Sequence, residues 1–161
     1  MAIINAYKMD GLGNDFVIID RRKNSINLTK EKIIELGNRT NIGFDQIIFI
    51  EKEKGNSFPI TIFNSDGGEI SACGNGSRCV AYLLGKKLNT KEVKLKTDNR
   101  LLNAKIVGDF LVELEIGKPL LSFEDIPLSK KINPDDITIM IDNKTFAGGF
   151  CVNVGNPHVI F

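Results

Sequence analysis

The sequence predicts a mixed α/β (α+β) domain in which mixed, mostly antiparallel strands curl around one central helix. Three observations carry this reading. Short runs of β-branched and aromatic residues recur along the chain, each bounded by clusters of Gly, Asn, Ser or Asp. One segment, Ser77 to Leu88, carries Cys79, Val80, Leu83, Leu84 and Leu88 at helical spacing, with Ala81 and Tyr82 between them, so little of its circumference is charged. Such a helix needs cover on all sides, and Leu83 is expected to be inaccessible. With 161 residues, 42% of them hydrophobic, the chain has the size of a single domain, residues 1–161, with a core of its own.

Taken in order, Ile3 to Met9 and Phe16 to Asp20 read as strands of a hairpin joined by Asp10-Gly11-Leu12-Gly13-Asn14. Lys30 to Asn38 reads as a helix, with Thr29 as its N-cap, Leu28 placed to staple onto Ile33, and Gly37 near its end. Gln46 to Glu51 and Phe58 to Asn64 are short apolar runs between turn signals, as expected of antiparallel neighbours. Lys86 and Lys87 lie where the central helix ends and favour the negative end of its dipole. Beyond it, Val93 to Thr97, Leu101 to Val107, Phe110 to Ile116, Ile137 to Asp142 and Phe146 to Val154 read as strands, with Gly108-Asp109 and Asn143-Lys144 as hairpin turns. Leu120 to Asp136, with Pro127 and Pro134 and mixed charge, is the one linker-like stretch.

Composition narrows the function classes. Twenty-one Lys plus Arg against twenty Asp plus Glu leave a formal charge of +1 without a dense basic block, which argues against nucleic acid as a partner. The opening residues lack a long apolar core or a small-residue cleavage pattern, and no apolar run approaches the roughly 18–20 residues of a membrane span, so a cytoplasmic protein without membrane contact is expected. Three cysteines, an odd number, argue for reduced thiols rather than a disulfide framework. No Cys-x-x-Cys or Cys/His cluster supports a zinc site, and no Gly-x-Ser-x-Gly elbow accompanies His158, the only histidine.

The segment Cys73-Gly74-Asn75-Gly76 follows a strand-like run and precedes the apolar helix, which places a thiol at a helix N-terminus. Unpaired N–H groups and the positive end of the dipole favour an anion there and are expected to lower the thiol pKa from about 8.5 toward neutrality. Cys73 is therefore the candidate for chemistry, and glycines on both sides of Asn75 allow main chain to approach a carboxylate closely. Cys79, on the apolar helix, and Cys151, between Phe150 and Val152, read as small core hydrophobes.

Five blocks together resemble one family. Gly11-Leu12-Gly13-Asn14-Asp15-Phe16, Gly43-Phe44-Asp45-Gln46, Phe63-Asn64-Ser65-Asp66-Gly67, Ala72-Cys73-Gly74-Asn75-Gly76-Ser77-Arg78-Cys79 and Gly155-Asn156-Pro157-His158 occur in the order and spacing of the diaminopimelate epimerases, and the resemblance covers the whole chain. It implies a diaminopimelate-epimerase-like fold and interconversion of LL- and meso-diaminopimelate, a small-molecule substrate, without a cofactor. In that family two similar domains each present a cysteine at a helix N-terminus; here no second Cys-Gly-Thr/Ser-Gly loop appears, so the chain resembles the N-terminal half, with its C-terminal domain as a partner and a homodimer expected of the full-length enzyme. Asp10 and Ala72 stand where the family often has His and a bulkier residue.

Carried over by position, the resemblance makes Cys73 one of two acid/base thiols and places His158 near it. It makes Gly74 and Asn75 part of a backbone cradle for the α-carboxylate, and Asn14, Gln46, Asn64 and Asn156 ligands of substrate polar groups. Structural readings stand beside these: Asn14 suits a left-handed turn position, and Asn64 suits the start of Asn-Ser-Asp-Gly. The alternative functions are a related isomerase of the proline racemase or phenazine-biosynthesis type, and a non-catalytic half-domain that binds a carboxylate.

Overall fold

The computed structural model describes residues 4–98 and 100–161. Among them, eleven strands and two α-helices divide between two compact units, one running to Glu115 and the other Ile116–Phe161. Compactness here follows which apolar side chains share a core. Ile126, Ile137 and Cys151 form a cluster of their own in the second unit.

The first unit contains β1 (Ala6–Gly11), β2 (Asn14–Asp20), α1 (Lys30–Gly37), β3 (Gln46–Ile50), β4 (Phe58–Asn64), β5 (Glu69–Ile70), α2 (Gly74–Leu88), β6 (Glu92–Lys96), β7 (Leu101–Gly108) and β8 (Leu111–Glu115). Its sheet runs β1-β2-β3-β4-β6-β7-β8, with β5 paired to β4. The pairs are antiparallel except β2 with β3 and β4 with β6. Strands from both halves of this path pack on α2: Phe16, Ile18, Ile48 and Ile62 of β2 to β4 and Val93, Leu95 and Leu102 of β6 and β7 share a core with Val80, Ala81 and Leu84. A second cluster joins Val17, Ile19, Ile47 and Phe49 to Ile33 of α1 and Phe44. β2 and β3 are therefore buried on both faces, which is why they read as continuous apolar runs, whereas β6 alternates buried and exposed residues.

Two helix boundaries differ from expectation by a few residues. Thr29 caps α1 as predicted, its Oγ1 accepting from Lys32 N at 3.3 Å, and Leu28 packs in the cluster of Ile33. The helix stops at Gly37, since Asn38 turns to extended backbone and accepts from Thr40 N at 2.9 Å. α2 begins at Gly74 rather than Ser77, because Cys73 supplies the cap, and it ends at Leu88 with Asn89 in the left-handed region. Leu84 is fully buried, but Leu83 is only half-buried, a correction to the expected all-round cover. One residue turns a helix by about 100°, and that moves Leu83 to the edge of the enclosed face.

β1 starts and ends later than predicted; Ile3 lies outside the described residues. Gly11 pairs with Asn14, leaving Leu12 and Gly13, both at positive φ, as a two-residue turn. Leu12 is 85% exposed. In the second unit, β9 (Ile137–Ile141), β10 (Lys144–Asn153) and β11 (Pro157–Ile160) form an antiparallel sheet in the order β11-β10-β9. The β9–β10 turn is Asp142-Asn143, both at positive φ, one residue before the predicted pair. The linker-like stretch contains a helical turn, Phe123–Asp125, and the core residue Ile126. β5 and β11 were not expected: one is two residues long, and the other begins with Pro157, which a strand accepts as its first residue at an edge.

Candidate active site

The site is built on the start of α2. Cys73 holds extended backbone at the N-cap, and its Sγ accepts from Gly76 N at 3.3 Å while its carbonyl accepts from Ser77 N at 2.9 Å. Gly76 is required by closeness: a Cβ there would lie 2.5 Å from Ile48 Cδ1 and 3.4 Å from Cys73 Sγ. The helix end is thus seated directly on β3. The thiol pKa is not lowered, contrary to the expectation from the helix terminus. Burial pushes it up, outweighing the backbone N–H groups of Gly76 and Asn75 and the Arg78 guanidinium, which pull it down. Cys79 is buried and pushed further, to about 11.

Three strand ends meet at this level. Phe16 pairs with Gln46, and Gln46 with Asn64, so the start of β2, the start of β3 and the end of β4 lie side by side at one end of these strands. Gln46 Nε2 donates to Asn64 Oδ1 at 3.2 Å, and Gln46 Oε1 is buried without a hydrogen-bond partner among the described residues. Asn14, the first residue of β2, accepts at Oδ1 from Asn75 Nδ2 at 2.9 Å, although sixty-one positions separate them. Cys73, Gly74 and Asn75 on the helix and Asn14, Gln46 and Asn64 on the strands all belong to the first unit. Asn156 and His158 belong to the second, exposed, with His158 Nε2 3.2 Å from Asn156 Oδ1.

Five charged residues around this site were not among the site residues drawn from the sequence. Asp45 Oδ2 accepts from Asn14 Nδ2 and from Asp15 N, both at 3.1 Å. Asp15 Oδ1 in turn accepts from Asp45 N at 3.0 Å. Arg39 bridges the two carboxylates, at 2.6 Å to Asp15 and 2.5 Å to Asp45, and Lys8 bonds Asp15 at 2.7 Å. Asp15 is held well below the usual carboxylate range, chiefly by Arg39. At the far end, Arg78 donates to Asn75 Oδ1. The signal was present in the motif blocks, since Asp15, Asp45 and Arg78 each lie inside one. A depression of about 510 Å³ opens beside Asn75 and Arg78, lined also by Asp10, Gly11, Leu12 and Tyr82.

The family model for diaminopimelate epimerase matches residues 6–121. The chain belongs to the diaminopimelate epimerase family. Among curated family members, a diaminopimelate epimerase of Pelagibacter ubique is 50% identical over 161 residues, covering 98% of this chain and 59% of that protein. One from Coxiella burnetii is 40% identical over 162 residues, covering 98% and 58%. The chain therefore spans somewhat over half the length of these epimerases. Two solved structures share the fold: a predicted epimerase from Pseudomonas aeruginosa, with TM-score 0.57, 15% identity, and 74% of this chain and 45% of that one covered, and a phenazine-biosynthesis-type protein from Clostridium difficile, with TM-score 0.54, 19% identity, and 83% and 49% covered. The phenazine-type likeness is one of fold; the sequence likeness lies with the diaminopimelate epimerases. Among the described residues no helix is long and apolar enough to cross a membrane.

Proposed function

We propose that this chain supplies one face of a diaminopimelate epimerase active site, with Cys73 as one of two acid/base thiols. The carrying observation is Cys73 as N-cap of α2, its sulfur already a hydrogen-bond acceptor, in a chain half identical to a diaminopimelate epimerase. Inverting a stereocentre by proton transfer needs a base on one side of the α-carbon and an acid on the other. A thiol serves either role when its pKa lies near the operating pH. Binding a carboxylate beside the first N–H groups of α2 fixes the α-carbon next to the sulfur, and Asn14, Gln46, Asn64 and Asn75 supply amides to orient the rest. On the family resemblance alone, Asn156 is proposed as a further ligand and His158 as a residue that takes part in the catalysis.

The test is a chimera in which these 161 residues replace the matching part of the Pelagibacter ubique relative. It is expected to interconvert LL- and meso-diaminopimelate with deuterium uptake at the α-carbon in D₂O, and Cys73→Ala is expected to lose roughly 10²–10⁴-fold, the usual worth of one acid/base group. An unchanged rate in Cys73→Ala overturns the reading.

A further inference from the structure

We infer that Asp45, anchored by Arg39, and Arg78 are positioning residues that set which way the amides of Asn14 and Asn75 face. The inference rests on the reading of those amides as ligand-binding groups, but its geometry is independent of the reaction. Four side chains form one directed path: Arg78 donates to Asn75 Oδ1, Asn75 Nδ2 donates to Asn14 Oδ1 at 2.9 Å, and Asn14 Nδ2 donates to Asp45 Oδ2 at 3.1 Å. An amide placed between two amides is ambiguous, because oxygen and NH₂ are interchangeable in shape. The ends remove the ambiguity. A guanidinium only donates, so Asn75 must turn its oxygen to Arg78; an ionised carboxylate only accepts, so Asn14 must turn its nitrogen to Asp45. The middle bond then has one possible direction, and it is the one observed.

The consequence is chemical. Each amide nitrogen has two hydrogens and spends one within the path, so Asn14 and Asn75 each retain one N–H for a ligand. The pair therefore presents donors, which suits a carboxylate oxygen. Asp45 is itself fixed: its other oxygen meets Arg39 at 2.5 Å, and the backbone N–H groups of Asp15 and Asp45 exchange bonds with the two carboxylates at 3.1 and 3.0 Å. Arg39 touches neither amide in this network, so its part is to hold Asp45.

Side-chain amide NMR on the 161-residue chain tests the path without any activity. In Asp45→Ala the Asn75 side-chain NH₂ resonances are expected to shift, although Asp45 does not bond Asn75, and in Arg78→Ala the Asn14 resonances are expected to shift likewise. Arg78→Lys, which keeps a cationic donor, should stay closer to the parent spectrum. Arg78→Ala keeps the test open if Asp45→Ala fails to fold. In the chimera, each single alanine variant is expected to raise KM for diaminopimelate roughly tenfold, the worth of one hydrogen bond to a charged group, with a smaller change in kcat. The double variant should fall well short of the product of the two, because both changes release the same amides. Unshifted remote amide resonances, or KM effects that multiply fully, overturn the inference. Failure of Cys73→Ala to affect the chimera would instead overturn the proposed function and leave the NMR result standing.

Discussion

Cys73 is a half-buried thiol whose local backbone favours the thiolate while its surroundings favour the protonated form, and burial is the larger influence. Iodoacetamide is expected to label Cys73 before Cys79 or Cys151, which are buried, through access rather than acidity. Its labelling rate should rise only above the ordinary thiol range, and peptide mapping by mass spectrometry across pH checks both points. Asp20 shows the opposite balance. Burial pushes its carboxyl up, but the Arg22 guanidinium, with both bonds at 2.9 Å, and Lys87 at 2.7 Å together hold it below the usual range. A depressed pKa contributes stability above the unfolded value and loses it as pH falls toward the folded value. Asp20→Asn is therefore expected to cost about 1–3 kcal/mol at pH 7, with the gap closing below about pH 4, by denaturant melts at several pH values. At this scale the local setting of a side chain was easier to read from the sequence than its protonation state. The place of Cys73 at the start of a helix was legible from its neighbours, whereas its pKa depends on atoms packed around it from β3 and the helix. The bonding of Asp45 and Arg39 was hidden for a related reason: Asp45 lies inside a motif block, but its bond to Asn14 spans 31 positions and that of Arg39 to Asp15 spans 24, which no local pattern encodes.

The helix α2 was the most readable element, because its apolar spacing and its end at Leu88 follow from local chemistry. Its start was misjudged because Gly74 and Gly76 are poor helix formers, and only the cap at Cys73 and the close seat on β3 account for them. Strand order was less legible: a β2–β3 parallel pair requires α1 to cross between them, and periodicity alone does not choose between parallel and antiparallel partners. Leu84→Ala is expected to cost about 2–5 kcal/mol, while half-buried Leu83→Ala should cost about 1–2 kcal/mol, compared in denaturant melts. Gly85→Ala separates propensity from packing. In an open helix the change gains about 1 kcal/mol. Here the new Cβ would lie 2.6 Å from Ile106 Cδ1 and 2.8 Å from the Thr90 carbonyl oxygen, and the backbone atom cannot rotate away. A net loss of about 1–3 kcal/mol is expected from overpacking.

Under the proposed function, Cys73 is the acid/base thiol of the 161-residue polypeptide, and the other two cysteines are buried. Incubated alone with LL-diaminopimelate in D₂O, the polypeptide is expected to show no inversion at a rate comparable to the chimera, since the proposal takes the second acid/base group from outside these residues and one such group contributes roughly 10²–10⁴-fold. Chiral chromatography with NMR of the α-carbon reads the outcome. A different property follows from the way the long sheet is closed. β1 to β4 and β6 to β8 are two ribbons, joined between β4 and β6, among the described residues, by two residue pairs, Phe58 with Leu95 and Pro59 with Lys96. One of these pairs includes a proline, which has no N–H to give. Backbone bonding thus contributes little to the seam, and side chains of α2, which pack against both ribbons, are what clasp them. The seam is accordingly the preferred line of partial opening: in Leu84→Ala, amide protons of β6 to β8 should exchange with solvent as one group, ahead of those in β2 and β3, which are sealed on both faces.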